Sequence, residues 1–206
     1  MQVPPTIRPS SPVGELDHHA RLVLGMTDAL EAKSYAELTV ADIVRSARVS
    51  KRTFYEHFGD KEACFLAAYA IMTAELLERI GHAAAPELSA EEQLERATRA
   101  YVAALEERPA LTRAFLADIQ AVGPKALEAR RSEHQRFATL LRALVERCRV
   151  GRPELRPLSP EMAIAVVGGI NELVLLTLER REDGGLSEVG ETAVELIRAL
   201  ALPESY

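Results

Sequence analysis

The chain has 206 residues, 48% of them hydrophobic and 27% charged, with a formal net charge of −6. That is enough for one large or two small domains with a substantial core, and the mixture is globular rather than disordered. An acidic balance excludes a protein that coats nucleic acid indiscriminately, so any such contact must sit on a local basic patch.

Residues 1–15 read MQVPPTIRPSSPVGE, with four prolines in the first twelve and no apolar leader segment, the pattern of a mobile tail. From Asp17 to about Lys33 an apolar side of Leu22, Leu24, Met26, Ala29 and Leu30 predicts a first helix, with Arg21 near its start read as solvated or, as the alternative, touching a phosphate. Tyr35 and Leu38 close the core beneath it. Thr39 with Asp42 three residues on reads as an N-cap and its acidic partner, opening a short helix whose inner face holds Ile43 and Ala47. Ser50 reads as a second N-cap, and Phe54 and Phe58 fall one turn apart on the inner face of the helix behind it. Two such helices joined by a tight turn form a helix-turn-helix, whose second helix enters the major groove N-terminus first. Its open face carries Lys51, Arg52 and Thr53 where base edges come within reach, and Tyr55 and His57 where phosphates do. Lys61 follows the capping Asp60, so its ammonium and the next helix N-terminus suit a backbone phosphate.

The stretch TVADIVRSARVSKRTFYEHFGDKE, Thr39 to Glu62, resembles the DNA-binding domain of the TetR family of transcriptional regulators, and the likeness runs from about Leu22 to Tyr69. The resemblance implies a positioning helix over Thr39 to Ala47, a recognition helix over Ser50 to Phe58, and a helical ligand-binding and dimerisation domain after them. It also implies a homodimer on a roughly palindromic double-stranded DNA operator and a small-molecule effector; the lack of a leader or a membrane-length apolar run sets the expectation of a cytoplasmic protein with no membrane partner. Two positions depart from the family pattern. Arg48 stands between the two helices and Ser34 before Tyr35, where the family usually has glycine. A left-handed turn at Arg48 would carry strain, offset if its side chain meets a phosphate. The expected DNA-binding set is Thr39, Arg48, Ser50, Lys51, Arg52, Thr53, Tyr55, His57 and Lys61. Thr39 to Lys61 carries five Lys/Arg against three Asp/Glu, a local excess of two positive charges in an acidic chain.

A fourth helix from Asp60 to about Gly81 shows the stripe Phe65, Tyr69, Met72, Leu76 and Ile80; starting on DNA and ending in the second domain, it suits a lever. Ser89 and Glu92 form a capping box for a helix through about Glu107, and Pro109 opens a short one. Pro124 begins a long helix whose inner face includes Arg130, His134, Phe137 and Cys148. After the Gly151 to Pro160 loop comes a helix apolar nearly all round, and then a last one from about Leu186 to Leu202. The longest uncharged run, Met162 to Asn171, is short for a membrane span.

The expected fold is all-α, about nine helices, with a tail at 1–15, a helix-turn-helix domain at 16–60 and a ligand-binding and dimerisation domain at 61–206. Surplus apolar surface on the last two helices predicts a two-fold dimer through them. A ligand pocket is expected among Tyr101, Phe115, Arg130, His134, Phe137, Met162 and Asn171. Most of these also fit ordinary core positions; Arg130, His134 and Asn171 stand out as polar groups on apolar stripes, His134 first among them, and Asn171 equally suits a dimer interface. No Gly-rich phosphate loop, metal-ligand spacing or nucleophile elbow is present, so no enzyme, cofactor or metal is expected. The rival readings are a helical enzyme on a borrowed fold and a dimeric sensor or scaffold without DNA binding.

Overall fold

Helices start where the sequence supplies an acceptor. In the computed structural model, which describes residues 17–180 and 185–201, Asp17, Thr39, Ser50, Asp60 and Ser89 each accept a first-turn backbone N–H. Pro109 and Pro124 occupy first turns, where a missing N–H costs nothing. Among the described residues nine α-helices follow: α1 (His18–Ala32), α2 (Val40–Ala47), α3 (Lys51–His57), α4 (Lys61–Ala83), α5 (Ala90–Glu107), α6 (Pro109–Leu116), α7 (Pro124–Gly151), α8 (Pro160–Arg180) and α9 (Ser187–Ala201). The all-helical expectation holds. The expected tail at 1–15 lies outside the described residues.

Two apolar cores organise these helices. The first gathers Leu22, Met26, Ile43 and Phe54 from α1 to α3 with Phe65 and Tyr69 of α4. It does not stop near residue 60, where sequence placed the domain boundary. Leu111, Ala114 and Phe115 of α6, with Ile119 and Ala126 beyond it, belong to the same cluster. The reason is continuity: α4 is one unbroken helix, so its first three turns pack on α1 while its later turns enter the second core. That second core joins Ile80 of α4 to α5, α7, α8 and α9, with Tyr101, Val145, Val166, Val174 and Ile197 near its centre.

Helix α8 is long and apolar enough to cross a membrane by length and composition, with a mean hydropathy of 1.7 over its most apolar window. The apolar stretch is thus longer than the Met162 to Asn171 run, because Glu172 interrupts that run without ending it. Ala163, Val166, Val167, Ile170 and Val174 face the second core, while Met162, Ile164 and Leu176 are exposed. One side of α8 therefore has no cover among the described residues.

The tightest approach in the first core is between α1 and α2, at Gly25. A Cβ added there would lie 2.7 Å from Ala47 Cβ and 2.8 Å from both Ala47 N and Ile43 O. Two of those three atoms are backbone and have nowhere to move. Gly25→Ala is therefore expected to cost about 1–3 kcal/mol, as overpacking does, despite favouring the helix locally. Urea unfolding of the full chain checks this.

Candidate functional sites

The turn between α2 and α3 is built by backbone caps rather than by glycine. Arg48 adopts φ 54° and ψ 45° and is the one non-glycine residue with positive φ among those described. Its N–H donates toward Arg45 O, and the Val49 N–H reaches back to Val44 O at 3.0 Å, the six-to-one bond of a Schellman cap. The carbonyls left over are taken by Arg21 of α1, whose Nη2 donates to Ala47 O at 2.9 Å and Arg48 O at 2.7 Å. Arg21 is thus a third cap on α2, not the solvated residue expected. Only its distance from Arg48 in three dimensions gives this away.

Helix α3 stands on Phe54 and Phe58, both buried, and turns the rest outward. Ser50 Oγ accepts the Thr53 N–H at 3.0 Å and lies 2.9 Å from Thr53 Oγ1. Thr39 Oγ1 donates to Asp42 Oδ2 at 2.6 Å. These three hydroxyls already have structural partners. Arg52, with 87% of its side chain exposed, pairs among the described residues with Glu56 one turn on, an exposed contact that is easily exchanged. Tyr55 is 60% exposed. Lys51, Arg48 and His57 also face solvent. His57 sits edge-on to His18 and His19, each 6.2 Å away between ring centroids.

Lys61 departs most from its expected place. Its ammonium turns inward, donating to Tyr35 O and Leu38 O, each at 2.8 Å, above the Tyr35 ring. Burial holds its pKa below the ordinary lysine value. Two of its three N–H groups thus tie the α1–α2 loop to α4, which leaves one for any phosphate.

A cavity of about 130 Å³ opens between α4, α5, α6, α7 and α8, where the two cores meet. Of the seven expected pocket residues, Tyr101, Phe115, Arg130, His134, Phe137 and Asn171 line it. Met162 does not: it lies in the first turn of α8, where its N–H is capped by Ser159, and is exposed. Sequence reasoning missed Tyr69, Met72 and Leu76 of α4, whose stripe reads as plain core. Tyr101 donates its O–H to Asn171 Oδ1, and Asn171 Nδ2 lies 2.9 Å from His134 Nε2. With Asn171 donating there, His134 is neutral and carries its proton on Nδ1. Burial and the nearby Arg130 charge hold its pKa below the ordinary value.

Residues 27–68 match the family model for bacterial regulatory proteins of the tetR family, and residues 87–174 match that for the tetracyclin repressor-like C-terminal domain. Together these spans cover more than half of the chain. The chain belongs to the TetR family. It is a DNA-binding transcriptional regulator of that family. Over 79 residues it is 28% identical to the HTH-type transcriptional regulator YxbF of Bacillus subtilis, a match covering 38% of this chain but only 21% of that relative. The fold agrees with solved structures of transcriptional regulators at low identity. The fatty acid degradation regulator FadR of Bacillus halodurans superposes with a TM-score of 0.78 at 14% identity, covering 89% of this chain and 95% of that one. FadR of Bacillus subtilis, crystallised with stearoyl-CoA, gives 0.77 at 14% identity, covering 88% and 98%. A tetR-family regulator from Rhodococcus RHA1 gives 0.65 at 20% identity, covering 93% and 100%.

In this TetR-family chain the positioning helix is braced by Asp42. Its carboxylate accepts from Thr39 N–H at 3.0 Å, Thr39 Oγ1, Lys33 Nζ at 2.9 Å and Arg45 Nη1 at 3.2 Å. These donors, the Thr39 hydroxyl foremost and the Lys33 ammonium next, hold its pKa well below the ordinary value of 3.8. A lowered folded-state pKa means stability that is present above pH 3.8 and fades as the pH falls below it. Asp42→Asn is expected to lower the melting temperature near neutral pH and to flatten the acid limb, with the two proteins converging in strong acid. Circular dichroism melts across that range measure it.

Proposed function

We propose that the chain is a ligand-responsive repressor that binds a roughly palindromic operator as a homodimer in the cytoplasm. The observation that carries this is the state of α3. Its core anchors are buried, its N-cap is satisfied, and Arg48, Lys51, Arg52, Tyr55 and His57 are left exposed around it. Two such helices in successive major grooves, about 34 Å apart, would match operator half-sites. The uncovered side of α8, with Met162, Ile164 and Leu176, supports pairing of two copies through α8 and α9. The domains act as a reader, residues 16–60, and a sensor and dimerisation unit, residues 61–206, sharing one core across α4 and α6.

An effector in the cavity would act through that shared core. Differential affinity for two arrangements of the dimer shifts the spacing of the α3 helices and lowers operator affinity by linkage. Stearoyl-CoA, held by the FadR structure of Bacillus subtilis, is one effector to try.

Within the reader, Arg52 takes base edges with Lys51 and Thr53, while Arg48, Tyr55 and His57 fix position on phosphates. Thr39 and Ser50 supply hydroxyls at the helix ends, and the third Lys61 N–H a single phosphate contact.

Gel-shift titrations with the DNA flanking its own gene, repeated over several salt concentrations, test the reading. A steep salt dependence and one protected footprint are expected. Arg52→Ala should cost about 1–3 kcal/mol on the operator and relax base preference, whereas Tyr55→Ala should weaken operator and random DNA alike. Equal losses on both DNAs for Arg52→Ala would end its base-reading role.

Arg48→Gly should raise stability by about 1 kcal/mol, since glycine takes the left-handed turn without strain. The same change should weaken operator binding and make the salt slope shallower by about one phosphate contact. A variant that gains stability with affinity and slope untouched would show that Arg48 makes no phosphate contact.

A further inference from the structure

We propose that the cavity selects a compact organic anion, an aromatic or branched apolar body bearing one carboxylate, with Arg130 as its counter-charge. This rests on the sensor reading above and adds the chemistry of the effector.

Size comes first. Met72, Leu76, Leu105, Leu111, Phe115 and Phe137 supply apolar walls around about 130 Å³. An apolar cavity of about 150 Å³ accepts a benzene ring. The room is therefore that of a ring or a short branched chain.

Charge comes second. Three arginines line the cavity, and two are already neutralised. Arg79 pairs in bidentate fashion with Glu107, and Arg108 holds Glu31 at 2.7 Å and Asp28 at 3.3 Å. Arg130 has no hydrogen-bond or ion-pair partner among the described residues, and its Nε is buried. Glu133, one turn further along α7, is taken by Arg136 at 3.0 and 2.8 Å. A guanidinium cannot shed its proton, so a buried Nε–H without an acceptor carries a desolvation cost until an acceptor arrives.

The neighbours of Arg130 are donors as well. His134, one turn further along α7, accepts from Asn171 at Nε2 and so keeps an Nδ1–H that no described group accepts. The Tyr69 hydroxyl lines the same cavity from α4, and burial, with the Glu133 charge, pushes its pKa up to about 12, so it stays a donor. The Asn171 carbonyl that could have accepted is occupied by Tyr101. Around Arg130 the lining offers donors, and Glu107 and Glu133 are already paired with arginines, which fits a carboxylate better than an alcohol or an amide. Glu75 also lines the cavity from α4; it is largely exposed, and partial burial together with the Glu78 charge holds its pKa above the ordinary value.

Calorimetry and thermal shift on the full chain test this with 3-phenylpropionate, its primary amide, 3-phenylpropylamine and stearoyl-CoA. The acid is expected to raise the melting temperature and to bind about tenfold or more tighter than the amide, the size of one charge-assisted hydrogen-bonded contact. Arg130→Gln should bring acid and amide level, and Arg130→Lys should restore part of the preference. Circular dichroism establishes that both variants fold, and the acid-to-amide ratio in the unsubstituted protein decides the matter even if they do not. Equal affinity for acid and amide, preference for the amine, or an acid preference that survives Arg130→Gln overturns the anion assignment and leaves the sensor reading standing. Binding by stearoyl-CoA alone overturns the size argument in the same way. If no probe binds or changes operator affinity, the sensor reading of the cavity falls and the anion falls with it.

Discussion

Phe115 is packed on two sides at once, and the two halves of the molecule meet in it. Its ring lies edge-on to Phe65 at 5.4 Å and to Tyr69 at 5.3 Å, inside the core that supports the DNA-facing helices. The same ring forms part of the cavity wall. Aromatic pairs of this kind prefer particular angles, and close-packed interiors pass strain on rather than absorb it. A group that fills the cavity has to contend with Phe115, and through it with Phe65 and the Tyr35 ring, 4.9 Å further on.

Around that ring the polar contacts run in the same direction. Arg108, at the α5–α6 junction, reaches Glu31 and Asp28 on α1, so the cavity rim is tied to the first helix of the reader. The Tyr35 N–H meets Asp118 Oδ2 at 3.4 Å, and Lys61 fastens the Tyr35–Leu38 loop to the start of α4. The α1–α2 loop is therefore held from α4 on one side and from beyond α6 on the other. Each tie is modest, but all act on the same loop.

Much of the reader was legible because its signals are local. Thr39, Ser50 and Asp60 lie within three residues of the N–H groups they cap, and Phe54 and Phe58 share a face by spacing alone. The left-handed turn at Arg48 was legible too, as a place where glycine is usual. What escaped depends on distances across the fold. Arg21 is 27 residues from the Arg48 carbonyl that it caps, and Lys61 is 26 from the Tyr35 carbonyl that redirects it. The reach of the first core into α6 was hidden for a related reason, since nothing in the pattern of α6 says which neighbour it joins. In the sensor half, six of seven expected residues share one cavity because their helices do. Met162 missed because periodicity along α8 could not tell an inward apolar position from an uncovered one.

Gly25 bears on how the reader opens. A side chain at position 25 would run into Ala47 and Ile43, so α1 and α2 meet nearly backbone to backbone there, and sliding one along the other breaks that fit. The Arg21 clasp on the α2 carbonyls and the Lys33–Asp42 pair close the two ends of the same seam. Amide protons along both helices would then exchange with solvent in one shared event rather than by fraying separately.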